Sequence, residues 1–175
     1  MQCDHTSVGV IVRNDKGEFL LIKRKNFPIS YAFVAGHCDG DEPEMAARRE
    51  LREEAGIEAV DMKLILHAAA FPNPCKREGG THHDWWVFEA TIWRGEMNAG
   101  SDAAEAMWLS LRGILGLIER MFSINNQYGL IDQLVENTRQ LVESSEWQEQ
   151  PGLEPVWSAH VAAMIMRGII RCDIL

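Results

Sequence analysis

The 175-residue sequence contains no run of about 18 apolar residues, so no membrane-spanning helix is expected. Its opening stretch, MQCDHTSVGVIV, lacks a basic segment followed by a long apolar one, which argues against a secretory signal. Basic residues are outnumbered, 17 to 26, and the formal charge is -9. That excess argues against a surface built for nucleic acid, which needs clustered Lys and Arg. A small nucleotide is not excluded, because a bound cation can offset carboxylates and phosphates together. Cysteine is sparse. Cys3, Cys38, Cys75 and Cys172 are scattered and read as reduced thiols of a cytoplasmic protein, not as a disulfide frame. What the chain does have is an apolar fraction of 46%, enough for a full core in one domain spanning residues 1–175.

Residues 7–13 (SVGVIVR) and 19–23 (FLLIK) read as strands joined by a turn with Gly17, together a hairpin. Residues 32–35 form a short strand after the breaker Pro28. Residues 42–55 are the clearest helix: Asp41 with Glu44 resembles a capping box, Pro43 lies in the first turn, and Gly56 closes the end. Ala47, Leu51 and Ala55 give it an apolar stripe. Residues 60–71, 84–93 and 106–109 read as further strands. Residues 113–123, 130–146 and 156–170 read as helices, with a linker around Pro151 and Gly152. Strands around one early helix, followed by helices, suit an α+β or layered α/β/α domain.

Glu50, Glu53 and Glu54 lie at i, i+3 and i+4, so all three project within about a 100° arc of one helix face. Their mutual repulsion is relieved either by a hard divalent cation with oxygen ligands or by solvent and neighbouring arginines. Mg²⁺ held by a few carboxylates leaves room for polyphosphate oxygens, and an unused carboxylate can take a proton from water.

The surrounding residues decide between the two. Gly36, His37, Cys38, Asp39, Gly40 and Asp41 are followed, after seven residues, by Arg49, Glu50, Leu51, Arg52, Glu53, Glu54, Ala55, Gly56 and Ile57. This stretch resembles the Nudix box: Gly, five residues, Glu, seven residues, then Arg-Glu-aliphatic-x-Glu-Glu-x-Gly-aliphatic. Its second half matches at every fixed position. Its first half departs twice, with four residues instead of five after Gly36 and Asp41 in place of Glu. The resemblance covers about residues 6–112 and implies an α/β/α sandwich with a mixed sheet. Residues 113–150 would be an added helical element within the domain, and residues 153–157 with the helix that follows look like the C-terminal helix of many members.

The resemblance further implies hydrolysis of a phosphoanhydride bond in a nucleoside diphosphate linked to another moiety, by water attack at phosphorus. The ion would be Mg²⁺, with Mn²⁺ as the alternative. Glu50, Glu53 and Glu54 would be metal ligands, the carbonyl of Gly36 would join them, Glu50 or Glu53 would activate water, and Arg49 would orient the glutamates. Relatives often add one more loop acid, for which Asp102 and Glu105 are the candidates and Glu89 a weaker one. The alternative from another class is a Nudix module that senses a nucleotide without cleaving it.

Several residues outside the box carry two readings. Arg24 and Lys25, at a strand end, either hold phosphates or are solvated. Trp85, Trp86 and Phe88 either stack a base or fill the core; alternation puts Trp86 and Phe88 on one face. Pro72 lies about where relatives that cleave ADP-ribose carry a proline. Cys75, His82 and His83 flank one loop and are zinc-type ligands, but their spacing fits no common finger and surface residues are the default reading. The helix expected at 130–146 either faces a twin in a homodimer or covers the sheet.

Overall fold

The computed structural model describes residues 1–100, 103–129 and 138–171. Among these residues seven strands and five helices follow in order: β1 (Thr6–Val12), β2 (Phe19–Arg24), β3 (Tyr31–Ala32), β4 (Val34–His37), α1 (Pro43–Ala55), β5 (Glu58–Pro72), β6 (His82–Arg94), β7 (Ala103–Leu109), α2 (Leu111–Gln127), α3 (Thr138–Val142), α4 (Ser145–Glu149) and α5 (Pro155–Met166). They form two sheets, one of order β4-β1-β6-β5 and one of order β3-β2-β7. The first is mixed: β1 runs parallel to β6 and antiparallel to β4. This is the expected mixed α+β architecture, with helices on both faces of the central strands.

The expected hairpin is not formed. The turn is there, with Gly17 at φ 75 and its N–H donating to Asn14 O at 2.9 Å. Beyond the single Arg13–Phe19 bridge, however, β1 and β2 part into different sheets. The burial of β1 gives the reason. Val8, Val10, Ile11 and Val12 are all buried, so both faces of β1 must be covered. Packing between β4 and β6 while helices close over it achieves this, and a two-stranded ribbon could not. Gly9 faces the Trp157 ring of α5, so close that a side chain would collide with it. Val8, on the opposite face, shares its register with Gly36, whose missing side chain points at Glu50 of α1.

Helix α1 begins at Pro43 and ends at Gly56, which adopts φ 68 and donates to Arg52 O at 3.1 Å. Its apolar stripe is buried as expected: Ala46, Ala47, Leu51 and Ala55. The capping box does not form. Glu42 is the N-cap, with no side-chain cap bond, and the Asp41 carboxylate accepts from Arg49 Nε instead, at 3.2 Å. A charge-assisted bond outcompetes a cap to a neutral amide. Two of the last carbonyls of α1 are satisfied from a loop: Gly100 N–H donates to Glu54 O and Asn98 N–H to Ala55 O.

The 15-residue edge strand β5 pairs with β6 through four register breaks, at Ala59/Asp61, Asp61/Met62, Leu64/Leu66 and Ala68/Phe71. The strand expected at 32–35 is divided between the two sheets as β3 and β4. Of the helix expected at 130–146, residues 130–137 lie outside the described residues. The remainder is two short helices, α3 and α4, broken at Ser144, whose hydroxyl bonds Leu141 O. Leu141, Val142 and Trp147 pack with Met121 and Ile124 of α2 into a second, smaller core. Leu141, Val142 and Trp147 are therefore buried within the chain. Trp147 ties this core to the strands by donating to Ile29 O at 2.6 Å.

Candidate active site

Five residues, 38–42, bring the chain from β4 round to α1. The shortened loop closes as a tight turn: Asp41 N–H donates to Cys38 O at 3.0 Å, and the two central residues, Asp39 and Gly40, have φ 55 and 88. Asp followed by Gly suits a turn with two positive φ values. The turn is held from both sides. Asp39 N–H donates to Asp4 Oδ2 at 2.9 Å, and the Asp39 carboxylate forms a two-pronged pair with Arg77, which holds that carboxyl below its ordinary range. The missing residue is thus absorbed by the turn, and α1 keeps its place.

Arg49 organises the acid face. Its guanidinium donates to Glu50 Oε1 at 2.5 Å, to Asp41 Oδ2 at 3.2 Å and to the carbonyl of His37 at 3.0 Å, and lies 3.6 Å from Glu53 Oε2. Glu50 and Glu53 differ sharply in setting, with side chains 13% and 55% exposed. Burial pushes the Glu50 carboxyl above its ordinary range; Arg49 opposes the shift, and the charges of Glu53 and Asp39 add to it. Glu50 lies directly against the backbone of Gly36, in the space a Cβ there would occupy. Glu54 is the third member of the acid face. It is buried, and its Oε2 accepts from Ala35 N–H at 3.1 Å, tying α1 to β4.

Gly36 also borders a pocket, one that none of the three glutamates lines. This pocket, of about 200 Å³, is lined by Gly36, His37, Arg24, Phe27, Trp85, Asn73, Cys75, Lys76, Arg77 and Glu154, among others. It holds aromatic surface, three cationic side chains and one buried acid. Arg24 Nη1 is 3.9 Å from Glu154 Oε2, and burial pushes the Glu154 carboxyl up while Arg24 opposes it.

The other candidates separate. Arg24 lines the pocket, whereas Lys25 is exposed and does not. Trp85, not Trp86, lies at the pocket. Trp86 is on the other face of β6, stacked on His67 with ring centroids 4.9 Å apart. Alternation along the strand had separated the two tryptophans correctly but could not say which face held the cavity. Glu105 is exposed on β7, opposite Lys23, and Glu89 is paired with Arg13. Asp102 lies outside the described residues. Phe27, Arg77 and Glu154 were missed from the sequence; each reaches the pocket from a segment remote from the box, and no local pattern marks them.

Comparison with known proteins agrees with this geometry. The family model for the NUDIX domain matches residues 4–128. An ADP-ribose pyrophosphatase of Methanocaldococcus jannaschii is 34% identical over 109 residues, covering 61% of each chain. An RNA pyrophosphohydrolase of Ectopseudomonas mendocina is 39% identical over 59 residues, 34% of this chain and 37% of that one. The matched region thus spans less than two thirds of either relative. Among solved structures, a MutT NUDIX hydrolase from Burkholderia pseudomallei superposes with a TM-score of 0.53 at 27% identity, covering 62% of this chain and 84% of that one. The NUDIX domain of Shewanella oneidensis NrtR, solved with ADP ribose, shares the fold, with a TM-score of 0.53 at 14% identity over 86% and 88% of the two chains. With the box, the fold and the family match in agreement, the chain belongs to the NUDIX family.

Proposed function

We propose that the protein hydrolyses a phosphoanhydride bond in a nucleoside diphosphate linked to another moiety, using Mg²⁺, with Mn²⁺ as the alternative. The observation that carries this reading is the Glu50 carboxylate seated against the Gly36 backbone and held by Arg49, which also reaches Asp41 and Glu53; Gly36 itself borders a pocket rich in cations and aromatic rings. The donors there are carboxylate oxygens and a peptide carbonyl, which suit a small hard cation. Glu50, Glu53, Glu54 and the carbonyl of Gly36 would hold it. The bound ion would neutralise phosphoryl oxygens and make a bound water more acidic.

The chain's own groups account for the rest. Arg24, Lys76 and Arg77 place positive charge around the pocket for the phosphates, and Phe27 and Trp85 offer faces to a base. Arg49 holds Glu50 in one rotamer through its contacts to Glu50, Asp41 and the His37 carbonyl. Glu53, the most exposed of the three glutamates, is free to turn toward water and take its proton as the anhydride P–O bond breaks. ADP-ribose is the first substrate to test, since the relative from Methanocaldococcus jannaschii is named for its cleavage. Residues 113–150 would form an added helical element within a single domain.

The test is a panel of nucleoside diphosphate derivatives, with ADP-ribose and a 5′-triphosphorylated RNA included, assayed with Mg²⁺ beside a Glu53→Gln variant. The expected outcome is turnover of a small nucleotide that falls at least 100-fold in the variant, the scale of a lost general base. Binding without turnover across the panel would identify a sensor instead. Turnover unchanged in the variant would overturn the role of Glu53.

A further inference from the structure

The loop between β5 and β6 brings together residues that the box does not use. His82 is exposed and stacks on His5, with ring centroids 4.5 Å apart, so it leaves the trio considered from the sequence. Cys75 and His83 turn the other way and meet two further residues. Cys3 precedes β1 and His37 ends β4, so four separate segments converge. The ligand atoms of Cys3, His37, Cys75 and His83 all lie within 4.8 Å of one another.

The individual separations are informative. The two sulfurs are 3.7 Å apart, the two Nε2 atoms 3.2 Å, and Cys3 Sγ lies 3.7 Å from His37 Nε2 and 3.1 Å from His83 Nε2. A tetrahedral zinc ion with ordinary bond lengths has ligand edges of about 3.8 Å for S–S, about 3.3 Å for N–N and about 3.6 Å for S–N. These four of the six edges fall within about half an ångström of those values, and the other two, from Cys75 Sγ to the two histidines, are bounded at 4.8 Å.

Hydrogen bonding alone accounts for the cluster poorly. With Cys75 S–H donating to Cys3 Sγ, the single Cys3 S–H can serve only one of the two histidine Nε2 atoms that also lie against it. A disulfide is not formed either, because a sulfur–sulfur bond is about 2.05 Å long. Backbone N–H groups face both sulfurs. His5 N–H points at Cys3 Sγ at 3.3 Å and Arg77 N–H at Cys75 Sγ at 3.4 Å, each donor two residues after its cysteine. Backbone donors aimed at both sulfurs are what metal-bound thiolates require around them.

We propose that Cys3, His37, Cys75 and His83 form a closed, structural zinc site that fastens the β5–β6 loop and the N-terminal segment to β4. Two thiolates and one Zn²⁺ make a neutral unit, which tolerates the burial of Cys3 and His83. Four protein ligands leave no open position, so the ion has a structural role, not a catalytic one. Its position matters for the pocket nonetheless. Asn73, Pro74, Cys75, Lys76 and Arg77 form one pocket wall, and His37 directly follows Gly36. The site is independent of the hydrolase reading, since its donors are different side chains.

The test uses the whole chain, purified under reducing conditions and freed of metal. Titration with Zn²⁺, followed by elemental analysis after dialysis against Mg²⁺ buffer, should leave one zinc per chain and raise the melting temperature. Titration with Co²⁺ should give the visible bands of tetrahedral cobalt with sulfur-to-metal charge transfer, saturating at one equivalent. Cys75→Ser should lose the charge-transfer intensity of one sulfur and weaken zinc retention at least tenfold. His82→Asn and Glu53→Gln should retain zinc as the wild type does. The proposal is overturned if the reduced wild-type protein shows no such cobalt spectrum, or if Cys75→Ser leaves that spectrum unchanged. It is also overturned if Cys3 and Cys75 are recovered as a disulfide from protein kept with zinc.

Discussion

Replacing Gly36 with alanine isolates the contact on which the proposed activity depends. A methyl group there would lie within 2.5 Å of Cδ, Oε1 and Oε2 of Glu50. Ordinary van der Waals contact begins at 3.4 Å, so the carboxylate must retreat by about 1 Å. It cannot do so by simple rotation, because Arg49 grips its Oε1 at 2.5 Å and is itself anchored to Asp41 and the His37 carbonyl. A misplacement of about 1 Å in a catalytic group costs roughly 100-fold in rate, or about 2.7 kcal/mol of transition-state stabilisation. The assay is kcat/KM with Mg²⁺ on whichever diphosphate the substrate panel identifies. Gly116→Ala in α2 serves as a control, since a Cβ there meets nothing within 4 Å. The expected result is a loss of about two orders of magnitude for Gly36→Ala and none for Gly116→Ala. A Gly36→Ala enzyme within threefold of wild type at its ordinary metal requirement would refute the reasoning.

Two further predictions concern stability. His160 is buried among Trp85, Trp157 and Phe71, and desolvation lowers its pKa from 6.5 to about 4. The unfolded chain therefore binds the proton more tightly, and stability conferred by the neutral ring is lost as pH falls from about 6.5 toward about 4. His160→Leu should flatten that limb by roughly 3 kcal/mol in urea unfolding followed across this range, and parallel curves for the two proteins would exclude the assignment. Gly9→Ala should destabilise by about 1–3 kcal/mol at neutral pH, because the new methyl would lie within 2.7 Å of Cη2 and Cζ2 of Trp157. A melting temperature equal to wild type would show that α5 yields more easily than its packing suggests.

The parts of this structure that the sequence made legible are those set by neighbours along the chain. The span of α1, its apolar stripe and its glycine cap depend on residues within one or two turns, and so did the arc holding the three glutamates. That arc says nothing about what lies opposite. Glu50 faces Gly36 and Glu54 faces Ala35, while Glu53 faces solvent, and these differences come from β4. The separation of β1 from β2 had the same origin: the turn at Gly17 is local, but the partner that wins β1 is β6, more than seventy residues away. The Cys3, His37, Cys75 and His83 cluster was hidden most completely. Only Cys75 and His83 flank the same loop, and the exposed His82 beside them offered a false third.

The register breaks along β5 bear on how the molecule behaves in concentrated solution. A long, straight strand at a sheet edge offers an unpaired row of N–H and C=O groups to which another chain can add. β5 also carries the exposed apolar side chains Val60 and Leu64, which would strengthen such an addition. The four interruptions twist and offset the backbone, and Asp61 and Lys63 put charge among the apolar positions. Each regular stretch is thus left too short to template a neighbour. The irregularities that look like imperfect pairing with β6 work, from the solvent side, as protection against self-association.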